Sequence, residues 1–141
     1  MEMDDLIRKS LDVHNILTQY IEIHNDIFKS SLRKIIPIPG VFQAIDYGNH
    51  YNSLSELADE LKYTISGVDD RNGFARILIE YAQALLQTII LFRDMCRNLY
   101  KKSQGEVSSY SKKQYQVDLD AYNSSVERYQ ALGTRLNQYL R

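Results

Sequence analysis

With 141 residues, 44 % of them apolar and 25 % charged, the chain has the size and make-up of one ordinary domain around a single core. A net charge of −1 and a pI near 6.3 argue against a dedicated nucleic-acid binder, and a single cysteine, Cys96, excludes an intramolecular disulfide. The charge is unevenly spread: residues 1–70 hold 6 Lys/Arg against 12 Asp/Glu, whereas residues 93–141 hold 9 against 5.

The N-terminus, Met1-Glu2-Met3-Asp4-Asp5, is acidic and lacks the positive start of a signal peptide. The first helix is predicted from about Asp4 to about Ile36. Leu6, Val13, Leu17, Tyr20, His24 and Ile27 form one stripe, widened by Ile16, Ile21, Ile23, Phe28 and Leu32. Ile36-Pro37-Ile38-Pro39-Gly40 then breaks or kinks the chain, because each proline lacks a backbone donor and pushes its predecessor out of the helical region.

A second helix follows from about Val41 to about Ile65, with Val41, Ile45, Gly48, Tyr51, Leu54, Ala58, Leu61 and Ile65 on its inner face. Ser66-Gly67-Val68-Asp69-Asp70 ends it, Gly67 suiting a left-handed cap and Asp69 or Asp70 suiting the N-cap of the next helix. That third helix is predicted from about Arg71 to Lys102. Phe74, Leu78, Tyr81, Leu85, Thr88, Phe92, Met95 and Leu99 alternate four and three residues apart, and Ile77, Ile89, Ile90 and Leu91 make it the most central helix. Its longest apolar run, Leu85 to Phe92, is far short of the ~20 residues of a membrane span, so the chain reads as soluble and cytoplasmic.

Ser103-Gln104-Gly105 is either a loop or a bend within one very long helix, since one glycine costs only about 1 kcal/mol there. The fourth helix is predicted from about Val107 to about Leu140. Its heptad is unbroken: Tyr115, Leu119, Tyr122, Val126, Tyr129, Gly133, Leu136 and Leu140. Tyr suits such a seam, because its ring packs while its hydroxyl reaches water; the chain has 11 Tyr and no Trp.

Chemistry-bearing residues are sparse. His14 and His24 lie nearly opposite in azimuth on the first helix, His50 stands alone, and no second His or Cys sits at ligand spacing, so neither metal nor cofactor is expected. Cys96 lies on an apolar helix face and reads as a buried, inert thiol. Asp118, Asp120 and Glu127 do not form a carboxylate pair built for acid–base work, and there is neither a glycine-rich phosphate loop nor a Ser/His/Asp set. An enzyme with a small-molecule substrate is not expected. The one basic cluster is Arg93, Arg97, Lys101, Lys102, Lys112 and Lys113, interleaved with Tyr100, Tyr110 and Tyr115; such a cluster on helices can hold anionic lipid head groups.

Three segments resemble BAR domains, the helical dimers that bind curved membranes, and most closely the type found beside PH and GAP domains. They are a helix ending in Ser31-Leu32-Arg33-Lys34-Ile35-Ile36, the stretch Tyr47 to Leu61 with its Ala58-Asp59-Glu60-Leu61 turn, and Lys112-Lys113-Gln114-Tyr115 with Asp120-Ala121-Tyr122 and Tyr129. The resemblance implies homodimerisation and lipid contact through the basic cluster. Arg8 and His14, for their part, resemble the arginine-to-histidine spacing of the small helical HEPN ribonucleases, which implies a ribonuclease or toxin as an alternative.

The fold expected is all-α: one domain over residues 1–141, an elongated antiparallel four-helix bundle with coiled-coil-like seams. The function expected is a non-enzymatic scaffold, homodimeric through Tyr115, Leu119, Tyr122, Val126, Tyr129, Leu136 and Leu140, meeting a protein partner or an anionic membrane surface. The competing expectation is a compact bundle serving as a protein–protein adaptor. A continuous helix through Ser103–Gly105 would favour the elongated dimer, and a reversal there the compact bundle.

Overall fold

The structure, a computed structural model, describes residues 3–35, 46–69, 71–103 and 110–139. They form four helices: α1 (Met3–Ile35), α2 (Tyr47–Ser66), α3 (Gly73–Ser103) and α4 (Lys112–Tyr139). The Pro37–Pro39 break, the stretch 41–45, Asp70, Gln104, Gly105, Val107 and Leu140 lie outside the described residues.

Local chemistry sets the helix starts. α2 begins at Tyr47 rather than Val41, because the Asp46 carboxylate accepts the Asn49 backbone N–H at 2.9 Å and so caps the first turn. α3 is capped by Asn72, whose side-chain oxygen accepts the Ala75 N–H at 2.7 Å. Asp69, expected in that role, instead accepts the Arg71 N–H at 3.1 Å in a local turn. α4 begins at Lys112 rather than Val107, with the Ser111 hydroxyl accepting the Gln114 N–H at 3.1 Å. Gly67 does follow α2, but at φ −101° and ψ 8°, not the left-handed conformation expected.

α3 is the central helix and packs along both α2 and α4. Between Gly73 and Lys102 it is long and apolar enough to cross a membrane by length and composition, an 18-residue window reaching a mean hydropathy of 1.4. Here that apolarity is spent on neighbours: Leu78, Ala82, Leu85, Ile89, Phe92 and Cys96 are buried. α4 runs back along α3. Phe74 meets Tyr139 ring edge to ring face at 6.3 Å, Tyr81 meets Tyr129 at 6.3 Å, and Phe92 stacks on Tyr122 at 4.9 Å. The chain therefore reverses between α3 and α4, which excludes a single continuous helix there. α1 is antiparallel to α2: Lys9 Nζ donates to the Thr64 carbonyl at 3.1 Å near one end, and His50 Nε2 meets Asp26 Oδ2 at 2.7 Å near the other.

α1 and α4 do not touch through their backbones; among the described residues no Cα of one lies within 8 Å of the other. Long side chains bridge the gap. The Tyr20 and Tyr122 hydroxyls hydrogen-bond, and the Tyr122 hydroxyl also lies 2.6 Å from His24 Nδ1. Phe28 stacks on Phe92 at 5.9 Å and on Tyr122 at 6.2 Å. Two helix glycines make room for other rings: a Cβ on Gly48 would stand 3.0 Å from Tyr100, and one on Gly133 would stand 3.1 Å from Tyr81.

Candidate interaction surface

The described interior is built mainly of apolar side chains and aromatic rings. Its polar groups are satisfied among themselves: the buried Thr88 hydroxyl donates to the Ala84 carbonyl at 2.9 Å and accepts from Ser125 at 2.6 Å. Every buried side-chain nitrogen or oxygen among the described residues has a partner. Burial pushes the tyrosine hydroxyls of the core well above their ordinary range, that of Tyr81 to about 12, and so keeps them protonated. Burial likewise pushes the Cys96 thiol up to about 12, which fits the inert thiol expected. Desolvation lowers the proton affinity of half-buried His24, so the neutral imidazole shares a hydrogen bond with the Tyr122 hydroxyl, which also bonds the Tyr20 hydroxyl.

The other histidines sit apart. His14 is exposed on the outer face of α1, and His50 faces Asp26. Arg8 forms an exposed ion pair with Asp5, one turn away on its own helix, and is not brought to His14. Among the described residues no group of three or more His, Cys, Asp or Glu is placed to hold a metal ion.

The heptad of α4, expected to face a second chain, is engaged within this one. Tyr122, Tyr129 and Leu136 are buried, and Tyr115, Leu119 and Val126 are half-buried against the same core. The periodicity showed that this face needs cover; it could not show that α3 and the rings of α1 supply it.

The basic residues gather at one end of the bundle. Because α3 and α4 are antiparallel, the last turns of α3, with Arg97, Lys101 and Lys102, lie beside the first turn of α4, with Lys112 and Lys113. Arg93, a turn deeper, shares Asp94 with Arg97, at 3.1 Å and 3.9 Å. The four lysines are exposed and have no ion-pair partner among the described residues. The N-termini of α2 and α4 point to this end and add positive potential, while Lys101 and Lys102 also complement the C-terminal dipole of α3. Arg97 and Tyr100 line a cleft there with Asp46, Asn49 and Asn52 at the start of α2.

The opposite sign collects between α1 and α2. A shallow groove runs past Asp12, Asn15 and Gln19 to Glu22 on α1, and past Thr64 and Glu60 to Glu56 and Ser53 on α2. The charge asymmetry of the sequence is thus one of position in space, acidic on the α1–α2 side and basic where α3 meets α4.

Comparisons of the chain with known protein families, with curated proteins and with solved structures found no match. The likeness to BAR domains rests on the quoted residues alone.

Proposed function

We propose that this protein is a non-enzymatic helical interaction module that docks on an anionic membrane surface through its basic end. The observation that carries the reading is the meeting of Lys101 and Lys102 with Lys112 and Lys113 across the α3–α4 turn, exposed and without acidic partners among the described residues. Lysines near an anionic bilayer are worth about 1 kcal/mol each, so four held together supply about 4 kcal/mol, roughly a thousandfold in partitioning. All four stand on helices already formed in the chain.

Sedimentation with vesicles containing phosphatidylserine tests this. The native protein should pellet at low salt and be released as ionic strength rises, and neutral phosphatidylcholine vesicles should not retain it. Changing all four lysines to Gln should abolish pelleting with the helical circular dichroism unchanged. Failure of the native protein to bind at low salt would end the proposal.

The return of α4 along α3 favours one second reading, a compact protein–protein adaptor rather than an elongated membrane-shaping dimer. Retention of a partner protein by the quadruple-Gln variant would support it. The ribonuclease alternative draws no support from Arg8 and His14, which the fold leaves apart and exposed; RNA cleavage lost on His14→Ala would revive it.

A further inference from the structure

We infer that Asn72, at the start of α3, is a site of spontaneous covalent modification, where the chain converts its own asparagine to aspartyl and isoaspartyl forms. Asn72-Gly73 is the one Asn-Gly step in the sequence. Gly73 has no side chain to shield its backbone nitrogen, so that nitrogen can reach the preceding carboxamide carbon. Both residues are exposed, Asn72 just before α3 and Gly73 at its first position. Every other asparagine of the chain lies inside α1, α2, α3 or α4. There the backbone is fixed and the N–H that would have to attack is held in a helix hydrogen bond.

In the step itself the Gly73 nitrogen bonds to Cγ of Asn72 and a succinimide ring closes. The bond from Cγ to the carboxamide nitrogen breaks, and that nitrogen leaves as ammonia with the Gly73 proton. Water then opens the ring at one carbonyl to give aspartate, or at the other to give isoaspartate. The helix start assists the attack. The Ala75 N–H donates to Asn72 Oδ1 at 2.7 Å, beside the positive end of the α3 dipole, so negative charge gathering on that oxygen is stabilised. As a first-turn group, the Gly73 N–H has no acceptor within α3 to hold it back. The two products differ in consequence. Aspartate keeps an acceptor at the N-cap and adds a negative charge where the helix favours one. Isoaspartate lengthens the main chain by a methylene and moves the acceptor out of register with Ala75. It also shifts Gly73, where a Cβ would already stand 2.9 Å from the Tyr139 hydroxyl.

The inference does not depend on membrane docking. It is tested by incubating the native protein in mildly alkaline buffer at body temperature. Peptide mass spectrometry follows the loss of ammonia, and enzymatic methylation of isoaspartyl carboxyls follows the second product. Asn72 should convert about tenfold or more faster than any other asparagine, because the others must first break helix backbone bonds. In guanidinium chloride that lead should narrow, since the helices that hold the others are gone. Chains carrying isoaspartate should melt a few degrees below the native protein, whereas Asn72→Asp should melt with it. Asn72→Ser, which keeps a capping oxygen and lacks the carboxamide, should hold a single transition through the same incubation. An Asn72 that stays intact, a lead no larger in the folded chain than in denaturant, or isoaspartyl chains that melt with the native protein would overturn the inference.

Discussion

Tyr122→Phe is the sharpest probe of how this bundle holds α1 to α4. The substitution keeps the ring, and with it the stacking on Phe92, and removes one hydroxyl that serves two partners, Tyr20 and His24. A neutral hydrogen bond contributes about 1 kcal/mol net, and a buried group left without its partner costs about 1–3 kcal/mol more. His24 is half-buried and recovers a bond from water, and the almost fully buried Tyr20 hydroxyl keeps its side-chain hydrogen bond with Tyr129. The expected loss is therefore about 2 kcal/mol, a fall in Tm of about 7 °C for a domain of this length. Tyr20→Phe should cost only about 1 kcal/mol, because Tyr122 keeps its bond to His24. The double variant should cost less than the two single losses added, since both substitutions remove the same Tyr20–Tyr122 bond. Urea unfolding followed by circular dichroism at pH 7.5 measures all three. Losses that simply add, or a Tyr122→Phe cost below about 0.3 kcal/mol, would show that the hydroxyl chain does not hold the two helices.

Acid should destabilise the protein through His24. Burial lowers its proton affinity in the fold, so the unfolded chain takes up more protons as pH falls below about 6.5, and stability present above that pH is lost beneath it. His24→Gln should flatten the decline between pH 7 and pH 5, and an unchanged slope would refute the assignment. Gly133→Ala should destabilise by about 1 kcal/mol in thermal melts, although alanine is the better helix former. Its Cβ would stand 3.1 Å from a Tyr81 ring that is buried and held against Tyr129, so the ring cannot yield cheaply. Asn72→Ala should cost about 1 kcal/mol through loss of the α3 cap, read in the same melts. Cys96 should resist thiol reagents at pH 8 and react fully only in denaturant; rapid labelling of the native protein would contradict its burial.

The four helices were legible because each carries a stripe at helical spacing, and α3 stood out as central because its apolar residues run around more than one side. Helix starts were less legible. The apolar rhythm of Val41 and Ile45 reads straight through Asp46, yet one carboxylate taking one backbone N–H ends that continuity. Asp46, Asn72 and Ser111 are all capping residue types, and weighing them above apolar periodicity would have found the observed starts. The basic cluster was visible as residues but not as a place, because only the reversal between α3 and α4 sets Lys101 and Lys102 beside Lys112 and Lys113. The α4 heptad shows the limit of such a signal: a stripe reports that a face is to be covered and carries no information on whether the cover is the same chain or another.

The abundance of tyrosine has the same root. Read along the sequence, tyrosines at seam positions suggest a face that is half wet and open to a partner. In the fold they answer a geometric demand. No Cα of α1 lies within 8 Å of one in α4 among the described residues, and long, rigid rings with a polar tip reach across the gap. Tyr20 and Tyr122 meet this demand tip to tip, each hydroxyl finding the partner that a buried hydroxyl requires. Phenylalanine at both positions would leave the hydroxyl-sized space between the tips empty, and tryptophan carries its donor on the flank of the ring rather than at its end. The wide gap thus accounts for the use of tyrosine here, and it frees the outer side of α1, bound mainly by α2 and α3, to carry the exposed Met3, Ile7, Leu11 and Ile21. If filling the gap between Tyr20 and Tyr122 with apolar groups left the bundle as stable as before, the width of that seam would be incidental, and the explanation for both features would fail together.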